Sequence, residues 1–209
     1  MALRLTTTDD GSHTLLNTAL SETYHSRRGA LTESLHVFIH EGLAWMGARM
    51  KEQPLRVFEM GFGTGLNAFL ALRHAINHRV TVDYHGIDTQ PLDHAIVHAL
   101  NYARVSAWPE GEAYFHQLHS AEWGKKITIL PEFTFLKSRC SIEQCEPGTG
   151  IHVVFYDAFA PSKQASVWYL EILKRLHGSM EQEAILVTYC ASGQFKRNLA
   201  AAGFEVQSL

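Results

Sequence analysis

A strand-like apolar run that leads directly into three alternating glycines is the feature that most restricts how this chain can fold. The segment is Val57-Phe-Glu-Met-Gly-Phe-Gly-Thr-Gly-Leu-Asn67, and apolar residues at helical spacing follow it. Glycine allows positive φ angles and close approach of a ligand to the backbone, while a helix start offers free N–H groups. The segment therefore predicts a strand–turn–helix corner that binds a nucleotide-like ligand, although a purely structural corner would have the same local pattern.

Two ligand classes fit this corner. Gly63-Thr-Gly-Leu-Asn-Ala68 matches the G-x-G-x-x-A pattern of dinucleotide sites, which would indicate an NAD-dependent oxidoreductase. The longer pattern Glu-x-Gly-x-Gly-x-Gly, which begins at Glu59, is typical of S-adenosylmethionine sites in Rossmann-like methyltransferases. A carboxylate beside the turn repels a pyrophosphate but attracts a ligand that carries an ammonium group. Glu59 therefore favours S-adenosylmethionine.

Aspartates end two further strand-like runs. Asp88 lies 23 residues after Gly65, close to the ~20-residue spacing at which such folds place an acidic residue on a ribose. Asp157 follows the most apolar run of the chain, and Phe159 and Pro161 stiffen the loop after it. Open α/β sheets bind ligands beyond the carboxyl ends of their strands, so Asp157 is predicted to lie beside the glycine turn. A carboxylate there could orient an amine and accept its proton, whereas the alternative for either aspartate is a turn or helix cap.

Strands and helices are predicted to alternate after Pro54. The predicted strands are Arg56–Met60, Val80–Ile87, Phe133–Lys137, Ile151–Tyr156, Ala184–Tyr189 and Phe204–Leu209. The predicted helices are Leu31–Met50, Leu66–Asn77, Pro91–Arg104, Glu112–Trp123, Ala165–His177 and Gln194–Ala201. This order predicts an α/β fold with a mostly parallel central sheet and helices on both faces. We expect residues 1–50 to form an N-terminal segment whose helix packs on the core, and residues 51–209 to form the Rossmann-like domain.

Composition excludes several classes of protein. No run of about 18 apolar residues exists, so no membrane span is expected, and the N-terminus lacks the pattern of a secretory signal. Three cysteines without a C-x-x-C motif predict a cytoplasmic protein. A net charge of −3 means that a nucleic-acid partner would need a local basic patch. Histidine pairs four residues apart lack a third ligand, so no metal site is predicted at His36/His40, His74/His78 or His94/His98.

Motifs over nearly the whole chain resemble one family, the methyltransferases that complete 5-methylaminomethyl-2-thiouridine at the tRNA wobble position. Besides the glycine turn, the matching segments are Tyr24-His-Ser26, Glu33-Ser-Leu-His-Val-Phe38, Asp157-Ala-Phe-Ala-Pro-Ser-Lys163 and Thr188-Tyr-Cys-Ala-Ser-Gly193. This family occurs alone or fused to a flavin-dependent oxidase. No oxidase domain is present in these 209 residues, so the resemblance implies the stand-alone form.

The resemblance implies that S-adenosylmethionine methylates the primary amine of 5-aminomethyl-2-thiouridine in tRNA. It implies that Asp157 is the catalytic residue that binds the substrate amine. The cofactor-binding residues that it implies are Tyr24, Glu59, Gly61, Gly63, Gly65, Asn67 and Asp88. Single-stranded RNA is recognised by stacking of its bases and by contacts to its phosphates. The residues expected to serve these purposes are Phe159, Pro161, Lys163, Lys196 and Arg197.

The sequence departs from the family pattern at two places. The strand Phe133–Lys137 leads into Ser138-Arg-Cys-Ser141 without the carboxylate that many related methyltransferases place near the adenine, so no adenine-binding residue is assigned. The chain also ends at Leu209, before a final strand that the family has, and we expect that strand to be missing. Besides the oxidoreductase, the alternatives are a methyl- or aminopropyl-transferase for a small amine and a catalytically silent adenosine-binding module.

Overall fold

The computed structural model describes residues 3–50 and 54–208. Its strands are β1 (Leu3–Thr7), β2 (His13–Asn17), β3 (Glu22–Thr23), β4 (Leu55–Met60), β5 (Val82–Asp88), β6 (Ile127–Leu130), β7 (Phe133–Arg139), β8 (Ile151–Tyr156) and β9 (Met180–Val187). Its α-helices are α1 (Ala30–Glu33), α2 (Trp45–Arg49), α3 (Leu66–His78), α4 (His94–Ala99), α5 (Tyr102–Val105), α6 (Gly111–Ser120), α7 (Leu170–Ser179) and α8 (Gly193–Ala202). A π-helix covers Ser34–Ala44 and a 3-10 helix covers Ala165–Trp168.

The central sheet has six strands in the order β6-β7-β5-β4-β8-β9. All neighbouring pairs are parallel except β6 and β7, which are antiparallel. The predicted mostly parallel, Rossmann-like α/β fold is therefore confirmed. The strand order reverses at β4, which lies between β5 and β8, and this is the position at which open α/β sheets bind ligands.

Both faces of the central sheet are covered, as its apolar strands require. In β8, Val153 and Phe155 point to one face, where they pack in the same cluster as residues of the π-helix, α3 and α6. Val154 and Tyr156 point to the other face and pack with residues of α7 and α8. This alternation follows from the two-residue period of a strand. Because both sets are fully buried, β8 contributes to two cores at once.

The helix predicted over Leu31–Met50 is present as continuous helical backbone from Ala30 to Arg49, but its middle is a π-helix. A π-helix is rare in proteins and frequently occurs at functional sites. Gly42 lies in this π-helix and faces the sheet. A Cβ atom there would lie 3.0 Å from Val187 and 3.1 Å from Phe155, so the missing side chain lets the helix pack closely on β8 and β9.

Gly42 and Gly47 provide a matched pair for testing this close packing. In Gly47→Ala the new methyl group makes an ordinary 3.5 Å contact with Leu55, and the gain in helix propensity should raise the free energy of unfolding by about 0.5–1 kcal/mol. In Gly42→Ala the methyl group crowds two buried side chains, which should lower that free energy by about 1 kcal/mol. Urea unfolding of both variants measures the difference. Equal stabilisation by the two substitutions would contradict the close packing.

The chain after α8 was predicted as a strand over Phe204–Leu209, and this prediction is wrong for residues 204–208, which have no regular structure. The Phe204 ring instead packs edge-on against His177, 4.9 Å away, and Leu209 lies outside the described residues. Phe204 and Val206 are therefore partly buried here without forming a strand.

The predicted and observed structures also differ in one helix and in several short strands. The single helix predicted over Pro91–Arg104 is divided into α4 and α5, and Asp93 caps α4 by accepting a hydrogen bond from the Ala95 N–H at 3.0 Å. The short strands β1–β3 and β6 were not predicted. β1 and β3 contain no buried residue, and the mostly buried β2 has polar residues at both ends. The expected boundary between 1–50 and 51–209 falls at residues 51–53, outside the described part of the chain, and stays a prediction.

No helix in the described part is both long and apolar enough to cross a membrane.

Candidate active site

The glycine turn connects β4 to α3 and is tightly packed against the end of β8. Gly61, Gly63 and Gly65 all have positive φ angles, of 94°, 52° and 75°. A Cβ atom on Gly61 would lie 2.1 Å from the carbonyl oxygen of Asp157, so only glycine fits there. Gly65 is the last residue before α3, where its left-handed conformation turns the chain into the helix.

Asp88 holds the turn from the side of β5. Its carboxylate accepts a hydrogen bond from the Gly63 N–H at 2.8 Å and another from the Gln90 N–H at 2.8 Å. Burial raises the pKa of Asp88, while these two hydrogen bonds act in the opposite direction. Asp88, which was predicted to bind the ribose, thus also fixes the shape of the glycine turn, and it lines the cavity described below.

Glu59 is fully buried in β4, and neither of its carboxylate oxygens has a hydrogen-bond partner among the described residues. Burial raises its pKa well above the usual value and the nearby charges of Asp157 and Asp88 add to this effect, while the Tyr84 hydroxyl and the Asn67 amide beside it act in the opposite direction. An unpartnered buried carboxylate is costly, so its presence indicates a binding role. Glu59 itself is not among the cavity-lining residues, although Met60 beside it is.

Asp157 follows β8 directly and faces the glycine turn. Its backbone N–H donates to the Met60 carbonyl at 3.0 Å, and its carboxylate accepts a hydrogen bond from the Asn67 side-chain amide at 2.9 Å. Burial raises the pKa of Asp157 to about 7, and the charge of Glu33 contributes in the same direction. Near neutral pH this carboxyl group can therefore both accept and release a proton.

A cavity of about 580 Å³ opens at this edge of the sheet. The rings of Tyr24 and Phe159 both line the cavity and pack edge to face, with their centroids 5.0 Å apart. This contact connects the N-terminal segment to the loop after β8. Burial raises the pKa of Tyr24 to about 12, so this phenol is neutral. The cavity brings together most of the predicted site residues, namely Tyr24, Gly61, Gly63, Asn67, Asp88, Asp157, Phe159 and Lys163.

The other predicted site residues do not line this cavity. Glu59 and Gly65 lie just behind it in β4 and the glycine turn, and Pro161 lies in the turn after Phe159. Lys196 and Arg197 are on α8, where Lys196 donates to Ser208 and Arg197 donates to Gln194. Their proposed contacts to RNA stay predictions.

The structure also adds residues that sequence reasoning did not assign to the cavity. Cys140, Ser141 and Ile142 follow β7 and line the cavity beyond Asp88. The available signal was their position, since they come directly after a parallel strand that pairs with β5. From the N-terminal segment, Glu22 and Glu33 also line the cavity, and their place there depends on tertiary packing. Among the described residues, no group of three or more histidine, cysteine, aspartate or glutamate side chains is arranged to hold a metal ion.

Thr64, at the centre of the glycine turn, is held by two histidines. The His119 ring nitrogen Nε2 lies 2.9 Å from the Thr64 carbonyl oxygen, which can only accept, so this nitrogen carries the proton. The His25 Nε2 lies 3.5 Å from the Thr64 hydroxyl, and the Tyr102 hydroxyl donates to that same oxygen at 3.0 Å. Burial lowers the pKa of both histidines to about 4. Neutral imidazoles therefore fix the turn near pH 7.

His25 should make stability depend on pH between about 4 and 6.5. The ring is buried and neutral in the folded protein, whereas in the unfolded chain it becomes protonated below its ordinary pKa of about 6.5. Falling pH across this window therefore favours the unfolded state. Wild type should lose about 1.4 kcal/mol per pH unit more than His25→Gln, as measured by urea unfolding at several pH values.

The exposed residue His94 supplies the control for this prediction. His94→Gln should keep the wild-type dependence of stability on pH. If His25→Gln had the same dependence as wild type, His25 would not be the neutral, buried imidazole that the structure shows.

Comparisons with known proteins agree with this geometry. Residues 97–209 match a family described as S-adenosyl-L-methionine-dependent methyltransferase. The chain is 30% identical to the tRNA 5-methylaminomethyl-2-thiouridine biosynthesis bifunctional protein MnmC of Burkholderia multivorans, over 94% of this chain and 31% of that protein. A protein of the same name from Burkholderia mallei is 29% identical over the same shares. The chain thus spans less than a third of the length of these relatives.

Among solved structures, MNMC2 from Aquifex aeolicus superimposes with a TM-score of 0.80. It is 23% identical, and the alignment covers 98% of this chain and 65% of that one. At this identity the likeness shows a shared fold. The family match covers more than half of the chain, from α4 to its last residue. Together with the glycine turn and the acidic strand ends, it identifies the chain as a member of the S-adenosyl-L-methionine-dependent methyltransferase family.

Proposed function

We propose that this chain methylates the primary amine of 5-aminomethyl-2-thiouridine at the wobble position of tRNA. The observation that carries the proposal is Asp157, whose carboxyl group has a pKa raised to about 7 and lies beside the glycine turn in the cavity. Such a group suits the removal of a proton from an ammonium ion near neutral pH. We take the identity of the nucleoside from the names of the relatives from Burkholderia. A tRNA substrate in turn implies a cytoplasmic location.

The residues around the glycine turn fit S-adenosylmethionine. Asn67 has a buried amide oxygen without a partner, and Glu59 has two unpartnered carboxylate oxygens, so both can accept hydrogen bonds from an amino group. We assign the methionine part to these residues and to Gly61, Gly63 and Gly65, the ribose to Asp88, and the adenine to the segment 140–142. Tyr24 would cover the bound molecule. When bound, the cofactor supplies an electrophilic methyl group.

Asp157 would prepare the substrate amine for attack. An ammonium group has no free electron pair, so its proton must first pass to the Asp157 carboxylate. The nitrogen then forms a bond to the methyl carbon while the bond between carbon and sulfur breaks, and its electron pair stays on the sulfur. Such a displacement depends mainly on alignment. The hydrogen bond from Asn67 to Asp157 keeps the carboxylate in place for this step.

The loop after β8 would contact the RNA. Phe159 lines the cavity and offers a ring on which an unstacked base can lie, and Pro161 stiffens the same loop. Lys163 lines the cavity and can reach a phosphate, while Lys196 and Arg197 would contact phosphates further along the tRNA. These five contacts remain part of the proposal.

Single-turnover methyl transfer tests the proposal directly. Labelled S-adenosylmethionine and tRNA from cells that lack this gene should give labelled 5-methylaminomethyl-2-thiouridine with wild type. Asp157→Asn should lower the rate by about 10²–10⁴-fold, because it removes the proton acceptor. The exposed Asp9 gives a matched control, and Asp9→Asn should leave the rate unchanged. Binding of the cofactor without transfer to tRNA, together with transfer to a free small amine, would overturn the tRNA assignment.

The pH dependence of this reaction should follow Asp157. Activity requires the carboxylate form, so kcat/KM should rise with pH and level off above the pKa of this group. The midpoint should lie at or below about pH 7, because the positive charge of the bound cofactor stabilises the carboxylate. Rates measured between pH 5 and 8 at saturating cofactor would show this rise of kcat/KM with pH. A rate independent of pH over this range would exclude Asp157 as the proton acceptor.

A further inference from the structure

Two glutamates of the N-terminal segment share the cavity with Asp157. Glu22 belongs to β3 and Glu33 ends α1, so the segment that precedes the central sheet supplies both. One oxygen of Glu22 accepts a hydrogen bond from the Ala160 N–H at 3.2 Å, and one oxygen of Glu33 accepts from the Ser26 N–H at 2.8 Å. These bonds fix each carboxylate and leave its second oxygen available.

Two buried oxygen atoms of the cavity-lining side chains lack a donor among the described residues, one on Asn67 and one on Glu22. The Asn67 oxygen is assigned above to the cofactor, which leaves the second carboxylate oxygen of Glu22 for the substrate. Buried acceptors without a partner are rare, and each one indicates a missing ligand or water molecule. A primary ammonium group has three N–H donors and can satisfy several acceptors at once.

The charge of the cavity points to the same ligand. Four carboxylate side chains line it, those of Glu22, Glu33, Asp88 and Asp157, whereas Lys163 is the one lysine or arginine among its described lining residues. S-adenosylmethionine carries one net positive charge, from a sulfonium and an ammonium against one carboxylate. Negative charge therefore remains in excess after the cofactor binds. A second cation reduces this excess, and the substrate supplies it if its amine enters protonated.

We propose that Glu22 and Glu33 are specificity-determining residues that, together with Asp157, bind the substrate amine in its ammonium form. This inference rests on the proposed function. Asp157 then receives the proton, while Glu22 and Glu33 keep the nitrogen in place. A 5-hydroxymethyl group lacks the positive charge, and a 5-carboxymethyl group would bring a negative charge towards three carboxylates. The hydroxymethyl group should bind more weakly because it forms no ion pair with the carboxylates, and the carboxymethyl group should be rejected because like charges in a partly buried site repel strongly.

Glu33 should also act on the proton transfer itself. Its negative charge contributes to the high pKa of Asp157. Glu33→Gln removes this charge and should move the midpoint of the rise of kcat/KM with pH to lower pH. A residue with a purely structural role would not shift this midpoint, so the pH profile of kcat/KM separates positioning of the substrate from folding of the site.

The variants Glu22→Gln and Glu33→Gln are designed to keep the fold. Glutamine retains an acceptor oxygen, so the hydrogen bonds from Ala160 and Ser26 can persist while the charge is lost. Each variant should raise KM for the aminomethyl tRNA by about tenfold or more and leave kcat little changed, since each loses a charge-assisted hydrogen bond. Glu122, which is 74% exposed, gives the matched control Glu122→Gln with unchanged KM.

Binding of free nucleosides measures the subsite without turnover. 5-Aminomethyluridine should bind wild type more tightly than 5-hydroxymethyluridine, and this preference should disappear in Glu22→Gln and Glu33→Gln. An unchanged preference in both variants would overturn the inference. If wild type prefers the amine but transfers no methyl group to tRNA, the subsite is supported and the proposed function fails. Transfer to a free small amine that depends on both glutamates would support the same subsite with a different substrate.

Discussion

The meeting of three parallel strand ends at the glycine turn is the constraint on which the rest of the site depends. The backbone N–H of Gly61 donates to the Ile87 carbonyl of β5 at 3.1 Å, and the N–H of Asp157 donates to the Met60 carbonyl of β4 at 3.0 Å. These bonds join β5, β4 and β8 just where the strand order reverses. Because a Cβ atom on Gly61 would collide with Asp157, the contact requires glycine. The carboxylates at these strand ends are thereby brought to one cavity.

The site is fixed from outside the central sheet as well. Thr64 is held by His25 from the N-terminal segment and by His119 from α6, and both rings are neutral near pH 7 because they are buried. Lys137 of β7 donates in turn to the backbone oxygen of His119 and lies over the ring of Trp123 at 4.8 Å. Of these supporting groups, His25 lines the cavity, whereas His119 and Lys137 support the glycine turn from outside its lining, which suits a reaction governed by alignment.

Stability and chemistry oppose each other in the same cavity. The raised pKa values of Glu59 and Asp157 show that burying these carboxylates is unfavourable, and within residues 3–50 and 54–208 no lysine or arginine forms a salt bridge with them. Proteins retain such groups where function requires them. A cationic ligand removes part of this penalty, so S-adenosylmethionine and a protonated amine should each stabilise the folded state.

The sequence by itself determined the α/β class, the glycine turn, and the positions of Asp88 and Asp157 at strand ends, because strand periodicity and glycine geometry are local properties. It missed β1–β3 and β6, placed a strand over Phe204–Leu209, and joined α4 and α5 into one helix, since short strands and helix breaks depend on what packs against them. Only the tertiary structure decided that Glu22 and Glu33 line the same cavity as Asp157 and that Lys196 and Arg197 do not line it. Those relations join residues more than a hundred positions apart, and no local pattern encodes them.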